Sequence, residues 1–136
     1  MAFKVQGIDH VVLRVVDFEG MIRFYQDVLK CEVERRTDDL GLIQLRAGGS
    51  LIDLVDVGGE LGRMGGAAPG AEARNMDHFC LRIDPFDEPA LRAHLQANGV
   101  EVGDVKSRYG AEGVGPSLYI EDPEGNVVEL KGPPGS

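Results

Sequence analysis

The sequence has no tryptophan and only two cysteines, Cys31 and Cys80, in 136 residues. They lie far apart, with no CxxC pair and no zinc-ribbon spacing between them. A disulfide scaffold and a thiolate zinc site are therefore poor readings, and two free thiols in a reducing cytoplasm is the simplest one. No charged-then-apolar leader opens the chain, and no apolar run approaches the ~18 residues of a membrane-spanning helix. Basic residues are also scarce, with 14 Lys and Arg against 23 Asp and Glu and a formal net charge of −9. That balance argues against a general binder of nucleic acid or anionic membranes, although a small pocket can still hold local positive charge. No GxGxxG arrangement joins a strand to a helix, so a nucleotide cradle has little support.

What is present is a repeat. Ile8-Asp9-His10-Val11-Val12-Leu13-Arg14-Val15 returns as Met76-Asp77-His78-Phe79-Cys80-Leu81-Arg82-Ile83, at an offset of 68 residues. Phe18-Glu19 returns at the same offset as Phe86-Asp87. A period this long with two copies describes a duplicated module, not a solenoid. With 43% hydrophobic residues, the chain suits one compact domain, residues 1–136, in which neither half-size module is self-sufficient.

The β-branched run at 8–16 predicts a strand with Ile8, His10, Val12 and Arg14 on one face. Asp9, Val11, Leu13 and Val15 take the other, largely apolar face. Asp17 reads as a helix N-cap, and Met21, Phe24, Tyr25, Val28 and Leu29 recur at helical spacing up to 29–30. Strands are expected over 31–36, 40–46 and 50–55, which makes the first module, 8–56, a βαβββ unit. Residues 57–75, with six glycines and Pro69, read as a linker or mobile flap. The second module, 76–131, is expected to hold a strand at its start and a helix from Asp87 to Asn98-Gly99. Strands at 100–105, 117–121 and 127–131 follow, with 106–116 as a polar loop and the 132–136 tail as a loose end. Asp122-Pro123-Glu124-Gly125-Asn126 is a tight turn.

Each module thus offers a histidine in its first strand and an acid in its last, because Ile52-Asp53-Leu54 and Val128-Glu129-Leu130 are the same triplet. If those strands are central, His10, Asp53, His78 and Glu129 can converge in a groove. Two imidazoles and two carboxylates form a formally neutral set around a divalent first-row ion and leave positions open for substrate. The bland readings are a satisfied structural histidine, a relic of duplication, and an edge strand with Asp53 in water. Arg14 and Arg82 share the faces of the histidines and either bind an anion or snorkel to the rim. Cys80 reads as a small pocket hydrophobe, His94 as surface, and Arg63 as solvated.

These motifs resemble the vicinal oxygen chelate superfamily, which contains glyoxalase I, fosfomycin-resistance, extradiol dioxygenase and bleomycin-resistance proteins. Ile8-Asp9-His10, Phe24-Tyr25, Met76-Asp77-His78 and the run from Tyr119 to Leu130 carry the resemblance. It implies an α+β fold in which two tandem βαβββ modules form a curved mixed sheet around a metal-binding groove. By resemblance His10, Asp53, His78 and Glu129 are ligands to a divalent metal ion (Ni, Zn, Mn, Fe or Co), with Asp53 departing from the usual Glu. The implied activity is a glyoxalase-like lyase or isomerase acting on a small substrate with vicinal oxygens. Its chemistry is of the lactoylglutathione lyase type, through an enediolate, with Glu129 as the base. Arg14, Arg74, Arg82 and Tyr119 are the candidate substrate-binding residues, and a glutathione adduct is a candidate substrate. The asparagine expected shortly after the first acid is missing. A homodimer is also implied, without nucleic-acid or membrane partners. The rivals are a fosfomycin-resistance-like hydrolase or transferase, a ring-cleaving dioxygenase and a metal-free drug-binding protein.

Overall fold

The computed structural model describes residues 2–135. The chain divides into two compact units at Ala68/Pro69, each built around one four-stranded mixed sheet. Among the described residues no helix is long and apolar enough to cross a membrane.

The first unit runs β1 (His10–Val15), α1 (Phe18–Arg23), β2 (Glu32–Thr37), β3 (Leu42–Ala47) and β4 (Ser50–Asp56), in sheet order β1-β4-β3-β2. β1 and β4 are parallel; the other neighbours are antiparallel. Alternation along these strands sends Leu13, Val15, Ile43, Leu45, Ile52 and Leu54 to one face, where each is at most 2% exposed. α1 packs on β4. Asp17 caps it as expected, accepting from Gly20 N–H at 3.1 Å. The expected single helix is in fact two pieces: the turns after Arg23 widen into a π-helix, Phe24–Val28, which buries Phe24, Tyr25 and Val28. The chain then leaves through Lys30 at φ 61°.

The second unit runs β5 (Phe79–Arg82), α2 (Glu88–Ala97), β6 (Lys106–Gly110), β7 (Gly113–Glu121) and β8 (Val127–Lys131), in order β5-β8-β7-β6. β5 and β8 are parallel, so the connectivity of the first unit is repeated. Leu118, Ile120, Val128 and Leu130 line its buried face, and Leu95 of α2 is fully buried.

Three expectations are corrected. Residues 100–105 are not a strand, and the polar loop expected at 106–116 is the β6–β7 hairpin with its Gly110-to-Gly113 turn. Lysine, arginine and glycine there suppress the apolar alternation by which a strand is recognised. Within the stretch expected as a linker, Gly62–Gly65 form a short 3₁₀ turn. In the tail, Gly132 is buried and donates its N–H to Pro116 O at 2.8 Å; Ser136 lies outside the described residues.

The approach to β8 is fixed by Asp122, whose carboxylate is 4% exposed. Its Oδ1 accepts from Glu124 N–H and Asn126 N–H at 2.9 Å each, and its Oδ2 from Asn126 Nδ2 at 2.8 Å. Asn75 Nδ2 in turn donates to Asn126 Oδ1 at 2.9 Å. Charge-assisted bonds inside a buried turn are the strong kind. Asp122→Ala should therefore cost about 3 kcal/mol in urea unfolding, since it orphans several donors at once.

Candidate functional site

In the first unit, the parallel register places Val12 beside Asp53, with His10 two residues before Val12 on the same face. Gln44 pairs with Asp53 across β3. In the second unit Cys80 lies beside Glu129, His78 stands two residues before Cys80, and Tyr119 pairs with Glu129 across β7. The two faces correspond residue by residue: His10 to His78, Val12 to Cys80, Asp53 to Glu129 and Gln44 to Tyr119.

Both histidines are held in the same way. His10 Nδ1 is 2.7 Å from Asp9 Oδ1, and His78 Nδ1 is 2.6 Å from Asp77 Oδ2. With the proton on Nδ1 and donated to the aspartate, Nε2 keeps its lone pair for a ligand. The Asp9 contact, with the Asp53 charge behind it, raises the His10 pKa above 6.5. The His78 contact holds the Asp77 carboxyl below its ordinary range.

The carboxylates are buried. Asp53 is 5% exposed and Glu129 6%. β4 is an inner strand, so Asp53 does not sit on an edge in water. Its Oδ2 receives Gln44 Nε2 at 3.4 Å, while its buried Oδ1 has no hydrogen-bond partner. Burial accordingly pushes the Asp53 pKa up, with His10 and Gln44 opposing. Glu129 Oε1 lies 3.4 Å from His78 Nε2. Tyr119 meets the His78 ring edge-on at 5.3 Å. Burial, then the Glu129 charge, raises the Tyr119 phenol pKa.

These donors fit a divalent metal ion. An orphaned buried carboxylate oxygen is costly without a cation or a proton. Two donors each about 2.1 Å from a tetrahedral ion are themselves about 3.4 Å apart, the spacing seen between His78 and Glu129. Within each unit the donors number two. Among the described residues no three His, Cys, Asp or Glu side chains cluster into a ready metal cage.

The expected substrate residues fare differently. Tyr119 stands beside His78. Arg14 turns to the segment after β4, donating to Gly62 O, Gly66 O and Ala67 O at 2.9 Å each. Arg82 pairs with Glu112 at 2.5 Å and donates to Ile83 O. Arg74 lies 3.8 Å from Asp77 and lines a small hollow with Asn75 and Asn126. His94 is half-buried on α2, not fully on the surface. Both cysteines are free. Cys80 is exposed, but partial desolvation and then the Glu129 charge push its thiol up to about 11, which does not suit a nucleophile.

Sequence reasoning does not single out Gln44, Asp9, Asp77, Arg108 or Lys131. The Asp-His doublet was legible in both copies of the repeat. Arg108 and its Ser117 contacts at 2.7 Å were hidden in what reads as a loop.

Comparison with known proteins gives one family. The model of the Glyoxalase/Bleomycin resistance protein/Dioxygenase superfamily matches residues 7–130. An integron cassette protein from the mobile metagenome of V. cholerae is 27% identical, with a TM-score of 0.77 over 97% of this chain and 98% of that one. A virulence protein from Salmonella typhimurium is 26% identical, with a TM-score of 0.77 over 96% and 99%. Lactoylglutathione lyase from Agrobacterium tumefaciens, 24% identical with a TM-score of 0.68 over 94% of each chain, shares the fold.

Two outcomes follow for metal-free protein. His10 binds its proton more tightly folded than unfolded, so its stabilisation is complete below pH 6.5 and is lost as pH rises through the folded value. Asp9→Asn should lower the His10 pKa in an NMR titration and flatten that part of the stability profile. Asp53, also raised, loses stability as pH climbs above 3.8. Asp53→Asn should therefore raise the thermal midpoint at neutral pH; a lowered midpoint would show that the carboxylate is structural.

Proposed function

The chain belongs to the Glyoxalase/Bleomycin resistance protein/Dioxygenase superfamily, and on that premise we propose that it is a metal-dependent, glyoxalase-like lyase or isomerase. Its substrate is a small molecule with two vicinal oxygens, and its ligands are His10, His78, Glu129 and Asp53. The observation that carries the reading is the matched pair of faces. In each unit an Asp-oriented histidine shares its face with a buried acid on the strand parallel to it. Duplication alone does not preserve a buried carboxylate with an unbonded oxygen; a cation accounts for it.

The metal, when bound, supplies Lewis-acid stabilisation of charge developing on the vicinal oxygens. The rest falls to the chain. Glu129 is the base: an oxygen of its carboxylate takes the proton from the substrate carbon and returns it to the neighbouring carbon. Tyr119, beside both His78 and Glu129, orients the carboxylate and keeps water from it. Asp9 and Asp77 hold the imidazoles with Nε2 outward. Asp is one methylene shorter than the Glu of the second unit, so Asp53 serves as the weaker donor, reaching the ion directly or through water.

Methylglyoxal with glutathione is the first substrate to try. A homodimer and a cytoplasmic setting, where Cys31 and Cys80 stay reduced, belong to the same proposal.

Purified protein should carry about one Mn, Fe, Co, Ni or Zn per chain by elemental analysis. His78→Ala and Glu129→Gln should each remove it, and Asp53→Asn should weaken it about tenfold. Turnover of the hemithioacetal that disappears with chelator and returns with metal completes the test. Absence of metal after refilling with each ion leaves a metal-free binding protein in its place.

A further inference from the structure

In the first unit the donor face ends against the unit's own chain. β1 and β4 run parallel, so both finish at the same end of the sheet. Leu13 and Val15 are wholly buried, which puts Arg14 on the opposite face with His10 and Val12. Arg14 is paired with Val55, in the next row of that face beyond the pair of Val12 and Asp53. After β4 the chain turns back across this end. Val57 N–H donates to Val15 O, at the end of β1, and Asp56 N–H to Gly41 O, just before β3, at 2.9 Å each. Leu61 N–H donates to Leu40 O at 3.4 Å. Gly62 is buried against the end of β4, where a Cβ would come within 1.9 Å of Asp56 O.

Arg14 fastens this segment to β1. Its Nη2 donates to Gly62 O and Gly66 O, and its Nη1 to Ala67 O. Carbonyls at the end of a short helical turn have no partner within it, and a guanidinium offers several donors in one rigid fork. The head also lies directly against the backbone of Gly65, where a Cβ would stand 2.6 Å from Arg14 Nε and 2.7 Å from Cζ. Only glycine permits that approach. Since Arg14 leaves the sheet on the donor face, the carbonyls gathered around its head stand over that face. Val55, on the same face, is accordingly 8% exposed.

We propose that Arg14 is a positioning residue, not a substrate contact, and that the segment 57–67 it holds is a fixed end wall of the donor face, limiting the substrate by size. The inference rests on the reading of this face as a substrate face. The wall stands one row, about 7 Å, beyond Asp53 along the strands. A substrate group that points toward this end has that length and no more. A methyl or hydroxymethyl group fits, and a fused ring system meets the wall.

The test begins with trypsin on the full chain stripped of metal. Arg63 is exposed within the wall, so a cut after it reports the wall; Arg46 lies inside β3, so a cut there reports global unfolding. Arg14→Leu removes the fork, and Gly65→Ala keeps the arginine but sets a Cβ against its head. Both should raise the ratio of Arg63 to Arg46 cutting about tenfold. The second arm loads Co²⁺ and follows its visible spectrum while two chelators with vicinal oxygens, acetohydroxamate and 2-naphthohydroxamate, are titrated. Both variants should shift selectivity about tenfold toward the naphthyl compound, with acetohydroxamate affinity unchanged. Unmoved selectivity overturns the wall, since a merely structural arginine behaves that way. A shift in Arg14→Leu without one in Gly65→Ala overturns positioning, because the arginine then touches the ligand itself. An unchanged cutting ratio in both variants overturns the fastening. Should Arg14→Leu fail to fold, Gly65→Ala decides. If no metal binds after refilling, the substrate face and its size limit fall together, while the cutting ratio still decides what Arg14 holds.

Discussion

Both units depend on one pairing: the first strand lies parallel to the last, in a register that sets the acid beside the residue two after the histidine. Strand periodicity does the rest. Histidine and acid share one face because residues two apart on a strand point the same way, while the residues between them fill the core. A slip of one residue would send Asp53 or Glu129 into the apolar layer and Leu54 or Leu130 out of it. The buried leucines therefore fix the register of the donors, and core packing and site geometry are one constraint. The Asp122 turn adds to this in the second unit by setting the point at which β8 enters the sheet.

The site runs against stability. Asp53 is buried with one oxygen unbonded, and its pKa is raised by that burial. Glu129 is equally buried and faces an imidazole nitrogen. Local departures from good packing chemistry of this kind concentrate at functional sites, and their cost is carried by the surrounding core. In the first unit that core is six strand residues and a helix with its π-turn; in the second it is four strand residues and Leu95.

Much of this was legible in the sequence, for identifiable reasons. The repeat gave the two units, alternation gave the core face of β1, and Asp17 announced its helix by capping chemistry. The β6–β7 hairpin was not legible, because its lysine, arginine and glycines interrupt apolar alternation. Nor was the π-turn, since Phe24, Tyr25 and Val28 satisfy an α-helical pattern equally well. Arg14 shows the limit on side chains. Its strand face was read correctly, but three carbonyls of the following segment claim its guanidinium, and no local pattern announces a bond across about fifty residues.

The two faces, alike in their donors, differ in what surrounds them. Around Asp53 stand Val12 and Gln44; around Glu129 stand Cys80, Tyr119 and, one row on, Lys131 and Ser117 with Arg108. The longer acid and the aromatic hydroxyl belong to the second unit. A base needs reach and a tuned environment; a structural ligand needs neither. In the proposed function the two pairs play unequal parts, one a holder and the other a reagent. Asp53 with its shorter arm fits the holder's part, and Glu129, with Tyr119 beside it, the reagent's.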